Sequence, residues 1–389
     1  MIRVGVNLLW LVPDDVGGTE EYATRLLHGV ADQLGSGRES TRPRVEVTLF
    51  GLPSFTRAHP ELADRFPTVT APIGGDRRAA RVAVEATWLA AEARRRRLDL
   101  VHHLGGTVPL LRGAPAVVTI HDLQPILRPE TFRPVKRRYL RAMLPWSVRA
   151  AGAVVAVSRF TADGIVEHLG VDPGRVHVVP HGIDPHLARP DAATIEGVRR
   201  HYGVGRRWFT YPSVTYPYKN HAFLVRAFAT VAAAVPDVSL VLTGRADTAE
   251  PALLAEIARH GLADRVRRTG RIPRGDVDAL IAGAVAVALP STFEGFGAPA
   301  LEAMALATPV VAADAASLPE VVGGAGLLLD PTAADDWSRA MLHLLEDADE
   351  RSRLRTAGLT RAAEFGWDAA ASTQVAIWRA EAARRAGAR

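Results

Sequence analysis

Short apolar, β-rich runs alternate with helix-length amphipathic segments along the whole chain. That alternation admits few architectures: it predicts parallel sheets with helices on both faces. In the first half the strands fall at about Arg3–Leu9, Val45–Leu52, Leu98–His102, Ala116–His121, Ala153–Val157 and Val176–Val179. Helices are expected at Thr19–Leu34, Ala79–Arg97, Val135–Ala150 and Arg159–Leu169. The Pro- and Gly-rich stretch Pro180–Pro190 reads as a linker. Beyond it the pattern resumes, with strands near Trp208–Tyr211, Val238–Thr243, Val266–Thr269, Val285–Leu289, Val310–Ala312 and Leu327–Leu329. The helices there are Asn220–Ala234, Pro251–His260, Asp276–Ala282, Pro299–Ala305, Ala333–Leu345 and a final Asp368–Ala386. A chain of 389 residues exceeds one comfortable core. The expected fold is α/β, with two tandem Rossmann-like domains, 1–187 and 188–366, and a cleft at the C-terminal edges of their sheets.

The segment Ser291–Glu302, STFEGFGAPALE, carries the most chemistry. It follows the apolar run Ala284–Pro290, read as a buried parallel strand. Gly295 and Gly297 let backbone approach a ligand, and Pro299 suits the first turn of a helix. Free amides and the helix dipole favour an anion such as phosphate. Glu294 and Glu302, beside them, favour hydroxyl-rich groups. A molecule with phosphate in its middle and hydroxyls at both ends is a nucleotide sugar. Eight residues of helix rise roughly 12 Å, whereas a retaining hydrolytic dyad needs its carboxyls about 5 Å apart. The two glutamates are therefore expected to hold two ends of one ligand; the alternative is two solvated carboxylates.

Other candidates lie at corresponding places. Val16-Gly-Gly-Thr-Glu-Glu-Tyr22 opens a helix after the first strand, with Gly18 in a phosphate- or sugar-compatible turn. It lacks G-x-G-x-x-G, so dinucleotide binding is weakly supported, and a plain turn capped by Thr19 is the alternative. His121-Asp122 ends an apolar strand, where His121 could bind a sugar hydroxyl or assist proton movement, or be structural. Two lysines, Lys136 and Lys219, stand against 45 arginines. Lys219 sits in a loop between strand and helix, from which it could reach a pyrophosphate as a point charge; otherwise it is a solvated lysine. Glu320, Gly323 and Gly324 follow another strand and could line the same cleft, or mark a helix start and stop. The pairs Asp14-Asp15 and Asp335-Asp336 read as turn or helix-start residues, and no His/Asp cluster has metal-ligand spacing.

Composition excludes more than it identifies. There is no cysteine, hence no disulfide framework or thiol nucleophile, which fits a cytoplasmic setting. The N-terminal MIRVGVNLLWLV, interrupted by Asn7 and followed by two aspartates, reads as a first strand and not a signal sequence. The net charge of +5 belongs to residues 1–185, with 24 basic against 19 acidic residues; the remainder has 23 of each. Much of the excess lies at Arg128–Arg149, which could touch an anionic membrane or acidic acceptor, or be a solvated helix face. Nucleic acid binding has no motif to support it.

Taken together these pieces resemble the retaining GT-B glycosyltransferases of glycosyltransferase family four. Glu294 and Glu302 match that family's E-x7-E element in PSTFEGFGAPALEAM. The resemblance continues through VGGTEEY, VVTIHD, VVAVSRFT, VHVVPHGID, YPYKNH and LPEVVGGAGLLLDP, nearly the whole chain. It implies that Glu302 binds the donor's ribose, Glu294 the donor sugar with amides near Phe296 and Gly297, and Lys219 the pyrophosphate. It implies further that Gly18 approaches the phosphates or acceptor, that His121 meets the donor sugar, and that the base rests near Gly270, Arg271 and Ile272. The last helix, 367–389, would pack back on the first domain. One departure stands out. Many relatives carry an arginine five or six residues before the lysine, where this chain has Val214 and Ser213. Either Lys219 and the amides suffice, or Arg245 or Arg271 substitutes. The implied reaction is metal-independent, cofactor-free transfer of a hexosyl group from a nucleotide diphosphate sugar, with retention. YPYKNH is similar to bacterial mannosyltransferases, which leans toward GDP-mannose. The acceptor stays open among glycan, lipid-linked and natural-product hydroxyls. The alternatives are a GT-B-type epimerase and a non-catalytic nucleotide-sugar binding protein.

Overall fold

The computed structural model describes residues 1–13, 17–35, 43–184 and 186–386. The Asp14-Asp15 turn, Val16 and the linker's Pro185 lie outside the described residues. The chain divides into two compact units, Met1–Gly182 with Gly366–Arg389, and Ile183–Phe365.

The first unit is built on a seven-stranded parallel sheet. Its strands are β1 (Ile2–Asn7), β2 (Val45–Gly51), β3 (Thr68–Thr70), β4 (Leu100–His103), β5 (Ala116–Ile120), β6 (Ala153–Ala156) and β7 (Val176–Val178). Their order is β3-β2-β1-β4-β5-β6-β7. The second unit holds β8 (Arg207–Pro212), β9 (Val238–Thr243), β10 (Val266–Gly270), β11 (Ala286–Leu289), β12 (Val310–Ala313) and β13 (Leu327–Leu329). These six pair in parallel as β10-β9-β8-β11-β12-β13. Each order reverses once, between β1 and β4 and between β8 and β11. In open α/β sheets such a reversal opens a crevice at the strand ends. The central strands β4, β5, β6, β11 and β12 are buried along their whole length, as sheets covered on both faces require.

Several elements depart from the sequence expectation. The single helix expected at Ala79–Arg97 is two, Arg78–Ala86 and Trp88–Arg95, broken at Thr87. The Thr87 hydroxyl donates back to the Ala83 carbonyl at 2.7 Å, the local bond by which threonine competes with helix. β3 is an edge strand of three residues without a buried side chain, too short and polar to give a period. The helix Ala192–His201 likewise has no fully buried residue, although Ile195 and Val198 pack against the cluster around Trp208; Asp191 caps it by accepting from the Thr194 N–H at 2.7 Å. The helix at the first strand's exit begins at Gly18, so Thr19 lies inside it and is not its cap.

The basic helix Pro134–Ala150 buries Leu144, Ser147 and Val148 and exposes Lys136, Arg138 and Arg141. Arg112 stacks its guanidinium 5.8 Å from the Trp146 ring on that helix. Among the described residues no helix is long and apolar enough to cross a membrane. The helix Trp367–Ala386 packs on Gly18–Gly35 within the first unit and buries Trp378. Trp378 Nε1 donates to His102 Nδ1 at 3.3 Å, so the other ring nitrogen carries the proton shared with Thr119 at 2.8 Å.

Candidate active site

Lys219 and Glu294 lie 75 residues apart in sequence and meet in the second unit. β8 leads into a loop that ends in the single 3-10 turn Pro217–Lys219. β11, its neighbour across the reversal, leads into the loop that carries Glu294. Lys219 Nζ donates to Glu294 Oε1 at 2.6 Å, with only 14% and 11% of the two side chains exposed. An ion pair this sheltered is screened little by salt.

Neighbouring contacts hold both loops. The Thr292 N–H and hydroxyl donate to the Tyr218 carbonyl at 2.8 and 3.2 Å. Tyr211, in β8, shares a 2.6 Å hydrogen bond with Ser291 beneath the second loop. Ser317, after β12, donates to the Glu294 carbonyl at 3.0 Å. Lower in the first loop, the Thr215 hydroxyl donates to Glu250 at 2.8 Å, and Arg268 of β10 grips the same carboxylate at 2.9 Å. Tyr216 and Tyr218 stack nearly parallel, 5.6 Å apart, and Lys219 lies 5.5 Å over the Tyr218 ring. Position and approach of the ammonium are thus set by packing as well as by charge.

Gly297 supplies the turn into the helix Ala298–Ala305. Its φ of +99° is left-handed, and a Cβ there would stand 2.8 Å from Leu318. The Phe296 ring packs edge-on against Phe365, 5.8 Å between centroids, so it belongs to the core. Glu302, one turn into that helix, is met by Arg274: Nη2 lies 3.1 Å from Oε2 and Nη1 3.3 Å from Oε1. Arg271 is exposed, whereas the Ile272 side chain packs on the cluster around Trp208 and Leu280. Arg245 braces the lysine loop through its carbonyl, which accepts from Thr215 N–H at 3.3 Å; its side chain is 59% exposed. Glu320 sits in the short helix Leu318–Val322.

The remaining sequence candidates lie in the first unit. His121 follows β5, and its Nε2 donates to the Leu104 carbonyl at 2.7 Å. A carbonyl only accepts, so the proton is on Nε2 and Nδ1 is the acceptor nitrogen. Burial pushes this imidazole down to about 4, partly opposed by that hydrogen bond, so the ring is neutral near pH 7. It packs edge-on against Tyr22, one turn along the helix that begins at Gly18. Gly18 has open space where a Cβ would stand.

The structure also brings together groups that sequence reasoning passed over. At the reversal of the first sheet, Asn7 donates to His103 Nδ1 at 3.1 Å, and Glu85 is buried beside them. Burial pushes the Glu85 carboxyl up to about 7 despite its bond to Asn7. The one signal was Asn7 itself, a polar residue closing an apolar strand. In the second unit His221 is buried directly after Lys219-Asn220, its ring 4.6 Å from Tyr211.

Two Rossmann-like units, each with one reversal, are the GT-B architecture of nucleotide-sugar-dependent glycosyltransferases. HepE of Anabaena, crystallised with UDP-glucose, superposes with a TM-score of 0.73 over 100% of both chains at 23% identity. Residues 16–187 match the family model Glycosyltransferase Family 4, and residues 203–361 match Glycosyl transferases group 1. The chain is 32% identical to the MMP alpha-(1->4)-mannosyltransferase of Mycolicibacterium hassiacum, over 75% of this chain and 72% of the relative. It is 34% identical to the alpha-maltose-1-phosphate synthase of Mycolicibacterium smegmatis, over 71% and 75%. The chain belongs to glycosyltransferase family four, whose members move a sugar from a nucleotide-sugar donor.

Proposed function

We propose that this enzyme transfers a hexosyl group, with retention and without a metal, from a nucleotide diphosphate sugar to a hydroxyl acceptor. The observation that carries this is the sheltered Lys219–Glu294 pair at the reversal of the second sheet. In this pair each charge satisfies the other. When the donor binds, Lys219 turns its remaining N–H groups to the diphosphate, and Glu294 accepts hydrogen bonds from the sugar hydroxyls. The Phe296 and Gly297 amides at the helix N-terminus share the phosphate charge. The ribose falls to Glu302 and the base to the main chain around Arg271 and Ile272.

The acceptor oxygen bonds to the anomeric carbon on the face that the diphosphate leaves. The bond from that carbon to the phosphate oxygen breaks, and the same oxygen takes the acceptor's proton. Lys219 and the amides stabilise the charge that develops there. His121, neutral and with Nδ1 as acceptor, receives a hydrogen bond from a donor hydroxyl, and Gly18 approaches the phosphates or acceptor. Residues 1–187, with 367–389, serve the acceptor, and residues 188–366 the donor. The basic first unit suits an acidic acceptor or anionic membrane. The relationship to a mannosyltransferase favours GDP-mannose as donor.

Glu294→Ala should abolish transfer and leave the fold intact; near-normal turnover by a folded variant overturns the assignment. Calorimetry with GDP- and UDP-sugars separates the donors. Loss of activity in EDTA that Mg²⁺ restores would refute metal independence. An epimerase would instead convert the nucleotide sugar with no acceptor present.

A further inference from the structure

Arg274 stands where a cation is electrostatically out of place. It is the first residue of the helix Arg274–Ala282, at the positive end of that helix's dipole. Two carboxylates offset this. Its Nε donates to Asp278 Oδ1 at 2.8 Å, one turn along the same helix, and its Nη atoms reach both oxygens of Glu302 at 3.3 and 3.1 Å. The carboxylates are sheltered, with 14% of the Asp278 side chain and 16% of the Glu302 side chain exposed, while Arg274 is 49% exposed. The anchor is therefore on its own helix, and the held group is on another.

A planar guanidinium that donates one hydrogen bond to a carboxylate and lies close to its second oxygen orients that carboxylate as well as meeting its charge. A carboxylate has two acceptor oxygens, and one held in a set orientation suits two adjacent hydroxyls. We infer that Arg274 is a positioning residue: with Asp278 as its anchor, it orients Glu302 to accept the two hydroxyls of the donor's ribose, and so sets discrimination for a ribonucleotide. This rests on the assignment of Glu302 to the ribose made above. A lysine could supply the charge but not the plane.

The test compares GDP with 2′,3′-dideoxy-GDP, and UDP with its dideoxy form, by calorimetry on the full-length wild type, Arg274→Ala, Arg274→Lys and Glu302→Ala. Wild type should prefer the ribose form at least tenfold, and Glu302→Ala should erase that preference. Arg274→Ala should cut the preference to within about threefold of the Glu302→Ala value, while affinity for the dideoxy form changes less than twofold. Arg274→Lys should fall between them. In turnover, Arg274→Ala should raise donor KM about tenfold against a smaller change in kcat. A preference lost in Glu302→Ala but intact in Arg274→Ala overturns the inference and leaves the ribose assignment standing. No preference in the wild type overturns the ribose assignment itself. Thermal melts identify any variant that fails to fold; Arg274→Lys, which keeps the charge, then decides, since full wild-type preference in it removes the role of the fork.

Discussion

Lys219 is one of two lysines in a chain that otherwise uses arginine, and its surroundings show what an arginine would disturb. The ammonium fits 2.6 Å from Glu294 and 5.5 Å above a tyrosine face. A broader planar fork would displace one or the other. Lys219→Ala should lower kcat by about 10²- to 10³-fold, the scale seen when one preorganised donor to a developing oxyanion is removed. Lys219→Arg should recover less than a tenth of the loss; steady-state kinetics at saturating donor checks both. Much of this site was legible in the residues one at a time. The lysine stood out against 45 arginines, and the two glutamates stood out by their glycine setting. Their pairing was not legible, because it is made by strand order and spans 75 positions. Arg274 was invisible for the same reason. Pro-Arg-Gly-Asp reads as an ordinary helix start, and its partner lies 28 residues on.

Among elements, the glycine turn before Ala298–Ala305 and the helix pair of the first unit are the most sensitive to change. Gly297→Ala places a Cβ in a left-handed conformation and 2.8 Å from Leu318. The conformation alone costs about 1–2 kcal/mol; easing that strain moves the helix N-terminus, and the buried Leu318 methyl must shift as well. Melting temperature should drop, and donor affinity should weaken by more than global stability accounts for. In the first unit, a Cβ on Gly29 would meet the Trp367 carbonyl at 2.9 Å and Ala371 at 3.1 Å. Gly29→Val should destabilise the protein by about 1–3 kcal/mol as overpacking does, measured by urea unfolding. Strands and long helices were legible in sequence because burial on one face imposes a period. Two elements that escaped, β3 and Ala192–His201, bury no side chain fully; the helix Ala348–Ala362 also escaped, because its charged residues leave little apolar period around the buried Leu354 and Ala362, and the broken helix at Thr87 keeps its apolar period across the break. Phe296 divides between two roles: its ring packs against Phe365, while the reading made from its place beside the glycines concerned its backbone amide.

For the molecule as a whole, neutral histidines set the response to acid. In the first unit burial pushes His102, His103 and His181 down to about 3 and His121 to about 4. In the second only His221, at about 4, is comparably displaced among the described residues. An unfolded histidine titrates near 6.5. Between that value and the folded one the unfolded chain binds more protons, so stability present above pH ~6.5 is lost as pH falls toward 4. Two-wavelength or calorimetric melts from pH 7 to 5 should show a falling transition. Hydrogen exchange at pH 5 should find the first unit opening before the second.

The return of the helix Trp367–Ala386 to the first unit has a consequence for biosynthesis. Residues 183–365 leave the ribosome before that helix does, and their ends already meet through the Ile183 N–H and Phe365 carbonyl at 2.9 Å. The second unit can close on itself while translation continues. The first unit, though begun first, waits with the face of Gly18–Gly35 uncovered until Trp367 and Ala371 emerge to cover it. Nascent chains stalled near Phe365 would expose that apolar face, making it the natural place for a chaperone to bind during synthesis.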